Sequence, residues 1–145
     1  MEPCLYEQDL YAWAMRSARL PRERRFNDLD LEHLAEELEA TGKSELRALE
    51  SRLTALLAHL LKWRFQPDQR SKSWQRSLIE QRKRIARLLR DSPSLKPRLA
   101  DAVADAYDSA LRLAGDETGM DESGFPQTCP YSLEQALDAG FYPGS

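Results

Sequence analysis

Apolar positions along the chain recur at intervals of three and four, the period of an amphipathic helix. Tyr6, Leu10, Trp13 and Ser17 predict a first helix from about Leu5 to Leu20, ended by Pro21. Leu31, Leu34, Ala35 and Leu38 predict the inner face of a second, capped by Asp28 or Asp30 and stopped at Gly42. A third, opening at Ser44 and reaching about Phe65, carries Leu46, Leu49, Leu53, Leu56, Leu57, Leu60 and Leu61. Its apolar surface is too wide for a single neighbour, so it is the expected centre of a bundle, with the second helix antiparallel to it.

After the break at Pro67, Trp74, Leu78, Ile85 and Leu88 or Leu89 mark a fourth helix from about Ser73 to Asp91. Leu95, Leu99, Ala102, Val103, Ala106, Ala110 and Leu113 mark a fifth, capped by Ser92 or Ser94 with Pro93 and Pro97 in its first turn. Beyond Gly115 the chain turns rich in Gly, Pro, Asp and Ser. Ser132-Leu-Glu-Gln135 then has the form of a capping box for a short last helix. β-Branched residues are few. The expected class is all-α: a compact bundle of four or five main helices plus a short C-terminal helix. Residues 1–145 are read as one domain, with a core over about 5–115 and an ordered loop and helix over 116–145 packed on it.

Composition narrows the class of protein. Hydrophobic residues make up 41% and charged residues 31%, too apolar for a disordered chain. The longest apolar run, Leu53–Leu61, is interrupted by Thr54 and His59, too short and too polar for a membrane span. Met1-Glu2-Pro3-Cys4 shows no basic region followed by an apolar run, so a cytoplasmic protein with reduced Cys4 and Cys129 is expected.

Charge is unevenly distributed. The formal net charge is −3, but residues 62–98 hold 12 basic and 3 acidic side chains, whereas residues 99–145 hold 1 basic and 9 acidic. Lys62, Arg64, Arg70, Lys72, Arg76, Lys83, Arg87 and Arg90, interleaved with Trp63, Phe65 and Trp74, form a candidate polyanion or nucleic-acid surface, since cations neutralise phosphates and rings stack on bases. The competing reading is a solvated face packed beside acidic helices, in keeping with the whole-chain pI of about 5.5.

Chemistry-bearing motifs are few. No phosphate-binding glycine loop, C-x-x-C pair or H-E-x-x-H motif is present. His59 and Lys62, one turn apart, could join Glu36 and Glu37 from the antiparallel second helix in a buried polar cluster. That cluster is the alternative basis for an enzyme or a metal site; the double Glu-x-x-His pattern of a bundle metal centre is missing. Cys129 has neither a base nor a helix N-terminus to activate it. No catalytic residue, metal ligand or cofactor is assigned.

Four stretches together resemble a known bacterial family, domain of unknown function 29. They are Asp30-Leu-Glu-His-Leu-Ala-Glu-Glu-Leu38, Leu56-Leu-Ala-His-Leu-Leu-Lys-Trp63, Ser73-Trp74 with Glu80-Gln-Arg82, and Cys129-Pro-Tyr-Ser-Leu-Glu-Gln135. His33 stands where that pattern more often has Asn. The resemblance spans about Tyr6 to Pro143; it implies a helical fold and no assigned activity. The leading expectation is a non-enzymatic helical interaction module that binds an unknown protein partner or a second copy of itself.

Overall fold

The computed structural model describes residues 4–144. Six α-helices are present, and no strand occurs among the described residues. They are α1 (Leu5–Gln8), α2 (Leu10–Arg22), α3 (Leu31–Phe65), α4 (Lys72–Asp91), α5 (Leu99–Thr118) and α6 (Leu133–Leu137). Two compact units divide the chain, Met1–Ser44 and Glu45–Ser145.

In the first unit the expected opening helix is broken at Asp9. That residue is extended and its side chain accepts from Ala12 N at 3.0 Å, so one helix ends and a capped one begins. Pro21 does not stop α2 at once but sits in its last turn. Asp30 caps α3: Oδ1 accepts from His33 N at 3.3 Å, and the carbonyl accepts from Leu34 N at 3.0 Å.

The largest departure from expectation is α3 itself. The second and third helices are one continuous helix of 35 residues. Gly42 is neither left-handed nor a cap, and Ser44 lies in the helix interior. A glycine inside a helix costs about 1 kcal/mol. Propagation adds a backbone hydrogen bond for each residue fixed, and no proline stands between Leu31 and Phe65 to interrupt it. The left-handed stop is used elsewhere, at Gly119 (φ 75°), which ends α5.

In the second unit the leucine surface of α3 forms the core. Leu49, Leu53, Leu56, Leu57, Leu60 and Leu61 are each 0% exposed. Burying a leucine is worth about 1.5–3 kcal/mol relative to leaving it in water. Leu78 and Ile85 of α4 and the stripe Ala102, Ala106, Ala110 and Ala114 of α5 belong to the same buried cluster. The small alanines fit a close approach of α5. Pro93–Arg98 is a 3-10 turn rather than the first turn of α5, so neither Ser92 nor Ser94 caps that helix.

The C-terminal segment packs on this core. Phe125 meets Phe65 edge-on (centroids 5.5 Å), Tyr142 lies 5.0 Å from Trp63, and Tyr131 meets Phe141. The expected capping box opens α6: Gln135 N donates to Ser132 Oγ (3.1 Å) and Ser132 N donates to Gln135 Oε1 (3.0 Å).

Glycine substitutions test the continuity of α3. A Cβ at Gly42 meets nothing within 4 Å, so Gly42→Ala is expected to stabilise by about 0.5–1 kcal/mol. Gly119→Ala is expected to destabilise by about 1 kcal/mol, because its φ of 75° is costly for a residue with a Cβ. Urea denaturation of the full chain followed by circular dichroism reads both; a destabilising Gly42→Ala would place a helix stop there.

Candidate functional site

Three cations of the second unit, Lys62, Arg70 and Arg82, are spent on its own fold. Lys62 is buried, its Nζ 2.5 Å from Glu117 Oε2 of α5 and 4.9 Å from the Trp74 ring centroid. Arg82 is also buried: Nε donates to Ala136 O at 2.9 Å and Nη2 to Phe141 O at 2.8 Å, tying the C-terminal segment to α4. Arg70 donates to Trp63 O at 2.7 Å and to Pro143 O at 3.4 Å. These bonds close off carbonyls that the tail and the end of α3 would otherwise leave without partners.

Of the eight basic residues in the candidate polyanion surface, Lys62 and Arg70 are therefore structural anchors. Arg64 is exposed beside the Phe65 ring, and Arg90 sits next to Asp91 at 3.8 Å. Lys72, Arg76, Lys83 and Arg87 are exposed and make no ion pair among the described residues. Glu80 lies on the same face and pairs with Arg84 at 2.7 Å, which holds its carboxyl below the usual range and interrupts the positive stripe.

The expected cluster of Glu36, Glu37, His59 and Lys62 does not form. It required an antiparallel second helix. Glu36 and Glu37 instead precede His59 in the same helix, α3. His59 Nδ1–H donates to Ala55 O (2.9 Å) within its own helix, and burial pushes the imidazole down from its ordinary pKa. The carboxylate near Lys62 and His59 is Glu117, which sequence periodicity had not singled out.

Glu37 belongs instead to a polar and aromatic cluster within the first unit. The Tyr6 hydroxyl donates to Glu37 Oε1, which pushes the phenol up to about 12. The Tyr6 ring stacks on His33 (centroids 4.1 Å apart, planes within 18°) and meets Trp13 edge-on at 4.9 Å. His33 Nδ1–H donates to Asp30 Oδ2 at 2.6 Å, so one carboxylate caps the helix and orients the imidazole. That bond raises the pKa of His33 and lowers that of Asp30. The buried Trp13 indole N–H makes no hydrogen bond of ordinary length, and it still favours the ionised Asp30. The three-residue spacing of Asp30 and His33 was the readable signal; the stacking of Tyr6 was not.

The first unit also departs from expectation in what it leaves uncovered. Leu31 (67%) and Leu38 (65%) are exposed, as is Ala35, although periodicity assigned them to an inner face. On α2, Trp13 and Leu20 are buried, whereas Leu10, Tyr11, Ala14, Met15 and Ala18 face solvent.

The two histidines are expected to titrate on opposite sides of about 6.5. His33 gains a carboxylate bond in the folded state, so its contribution to stability is present at low pH and is lost as pH rises through its raised folded value. His59 is buried neutral, so its contribution is present above the unfolded value and is lost as pH falls below it. Ring C–H NMR titration separates them. Asp30→Asn should return His33 towards the ordinary value and leave His59 unmoved; a His33 midpoint below that of His59 would contradict the geometry.

The chain matches the family model described as "Domain of unknown function DUF29" over residues 5–142 of its 145. No curated protein and no solved structure matches it. With all but a few terminal residues inside that match, the chain belongs to the DUF29 family.

Proposed function

We propose that this protein is a non-catalytic interaction module that associates through its first unit, with a second copy of the chain as the partner. The observation that carries this reading is the distribution of uncovered apolar side chains. Among the described residues seven large hydrophobics are exposed, and six of them, Leu10, Tyr11, Met15, Phe26, Leu31 and Leu38, lie in the first unit.

Their spacing supports the same reading. Tyr11, Ala14, Met15 and Ala18 stand at i, i+3, i+4 and i+7 on α2; Leu31, Ala35, Leu38 and Gly42 stand at i, i+4, i+7 and i+11 on α3. Both are the stripes by which helices pack, and both face water in the single chain. Two hairpins that each carry a spare apolar stripe have an established solution in a four-helix arrangement.

Charge favours self-pairing over a strongly basic or acidic partner. Arg16, Arg19, Arg22, Arg24 and Arg25 lie on α2 and the turn after it, whereas Glu32, Glu36 and Glu39 are exposed on the start of α3. A unit holding both signs in separate patches matches a twofold-related copy of itself.

Sedimentation analysis of the full chain tests this. A dimer is expected, and Leu31→Glu with Leu38→Glu should convert it to a monomer with unchanged helical circular dichroism. A monomer at the highest soluble concentration overturns the reading. Polyanion binding through α4 is read in parallel, with DNA and RNA at about 50 and 200 mM salt. Salt-sensitive binding that Lys83→Glu with Arg87→Glu abolishes, from a monomeric protein, would put the polyanion surface in its place.

A further inference from the structure

The same unit brings together three metal-ligating side chains that sequence spacing does not mark. A ring nitrogen of His33, Cys4 Sγ and a Glu7 carboxylate oxygen all lie within 4.8 Å of one another. Cys4 is the N-cap of the single turn α1 and Glu7 lies within that turn, three residues on, so the two fall on one side of it. His33 comes from the first turn of α3. The cysteine is free, and Cys4 and His33 are half-buried while Glu7 is exposed.

A second, independent feature distinguishes this group from a chance cluster. His33 already makes the carboxylate hydrogen bond that a metal-bound histidine typically makes. Its Nδ1–H is committed to Asp30 Oδ2 at 2.6 Å and its face is clamped by the Tyr6 ring. A ligating imidazole characteristically gives its other N–H to a carboxylate, which fixes the tautomer and makes the free nitrogen a better donor. With Nδ1 held, Nε2 is the nitrogen left for a cation.

We propose that Cys4, Glu7 and His33 bind one divalent transition-metal ion of the zinc type, with Asp30 as the carboxylate that positions His33. The donor set of one sulfur, one nitrogen and one oxygen suits a borderline-soft tetrahedral ion rather than magnesium or calcium, which take oxygen ligands. A tetrahedral sphere with Zn–S of about 2.3 Å and Zn–N of about 2.0 Å sets its ligand atoms about 3.5 Å apart. Rotation of the Cys4 and Glu7 side chains supplies that closure. Three protein ligands leave a fourth position to water. Binding takes Cys4 as the thiolate, its proton passing to solvent, so affinity falls as pH falls. The ion would join α1 to α3 within one unit, and the proposal does not depend on dimerisation.

Calorimetric titration of tag-free, metal-stripped full-length protein with Zn²⁺ tests it. One ion per chain is expected. The Co²⁺ form should show a thiolate-to-metal charge-transfer absorption, which Cys4→Ser abolishes and Cys129→Ser leaves intact. Glu7→Gln, on an exposed side chain, and His33→Gln should each weaken binding at least about 10-fold. Asp30→Asn retains a helix-capping oxygen and should weaken it about 10–100-fold through His33 alone. Absence of stoichiometric binding overturns the proposal. So does binding that survives both Cys4→Ser and His33→Gln, or that follows Cys129.

Discussion

The leucine surface on the C-terminal half of α3 is the constraint on which the second unit depends. Leu49, Leu53, Leu56, Leu57, Leu60 and Leu61 span about 140° of the helix circumference, Ala58 extends the buried arc to about 200°, and all are fully buried. One neighbouring helix covers a stripe of about 100°, so such a surface needs several partners at once. Helix α4 supplies Leu78 and Ile85, α5 supplies its alanines and Tyr107, and the C-terminal segment supplies Phe125 and Ala136. The tail is thus part of the core. Its carbonyls are held by Arg82, Arg70 and the Tyr107 hydroxyl, the last donating to Pro126 O at 2.6 Å.

That demand for cover explains the use of charge. A basic helix and an acidic helix beside an apolar centre can contribute long side chains whose stems pack while their heads find partners. Lys62 lies along the Trp74 ring and reaches Glu117, and Arg82 reaches two carbonyls from a buried position. A buried cation is tolerated only with such partners. The basic segment is therefore two populations. One holds the fold; the other, Arg76, Lys83 and Arg87 on the outside of α4, is solvated.

The first unit is organised differently. It buries Trp13 and Leu20 and relies on a polar and aromatic cluster in which Asp30 serves both the α3 N-terminus and His33. A hairpin this small has no third layer to cover the second stripe of either helix. Its exposed leucines and its tightly held histidine have one origin: few residues serve several roles, and apolar surface stays uncovered.

The chain alone determined the helical class, the leucine centre, the α6 capping box and the family, because each rests on local periodicity or on short contiguous motifs. It also placed most helix ends within a few residues, since capping is a local matter. What it could not decide was whether Gly42 ends a helix or lies inside one. The same residue serves both, and the choice turns on a difference of about 1 kcal/mol against the gain from continuing the helix. From that choice followed the separation of Glu36 and Glu37 from His59, and the exposure of Leu31 and Leu38. The pairings Tyr6 with Glu37, Lys62 with Glu117 and Arg82 with the tail carbonyls span 31 to 59 residues. They were decided by the tertiary structure, because a side chain's long-range partner depends on which elements pack together and not on its neighbours in the chain.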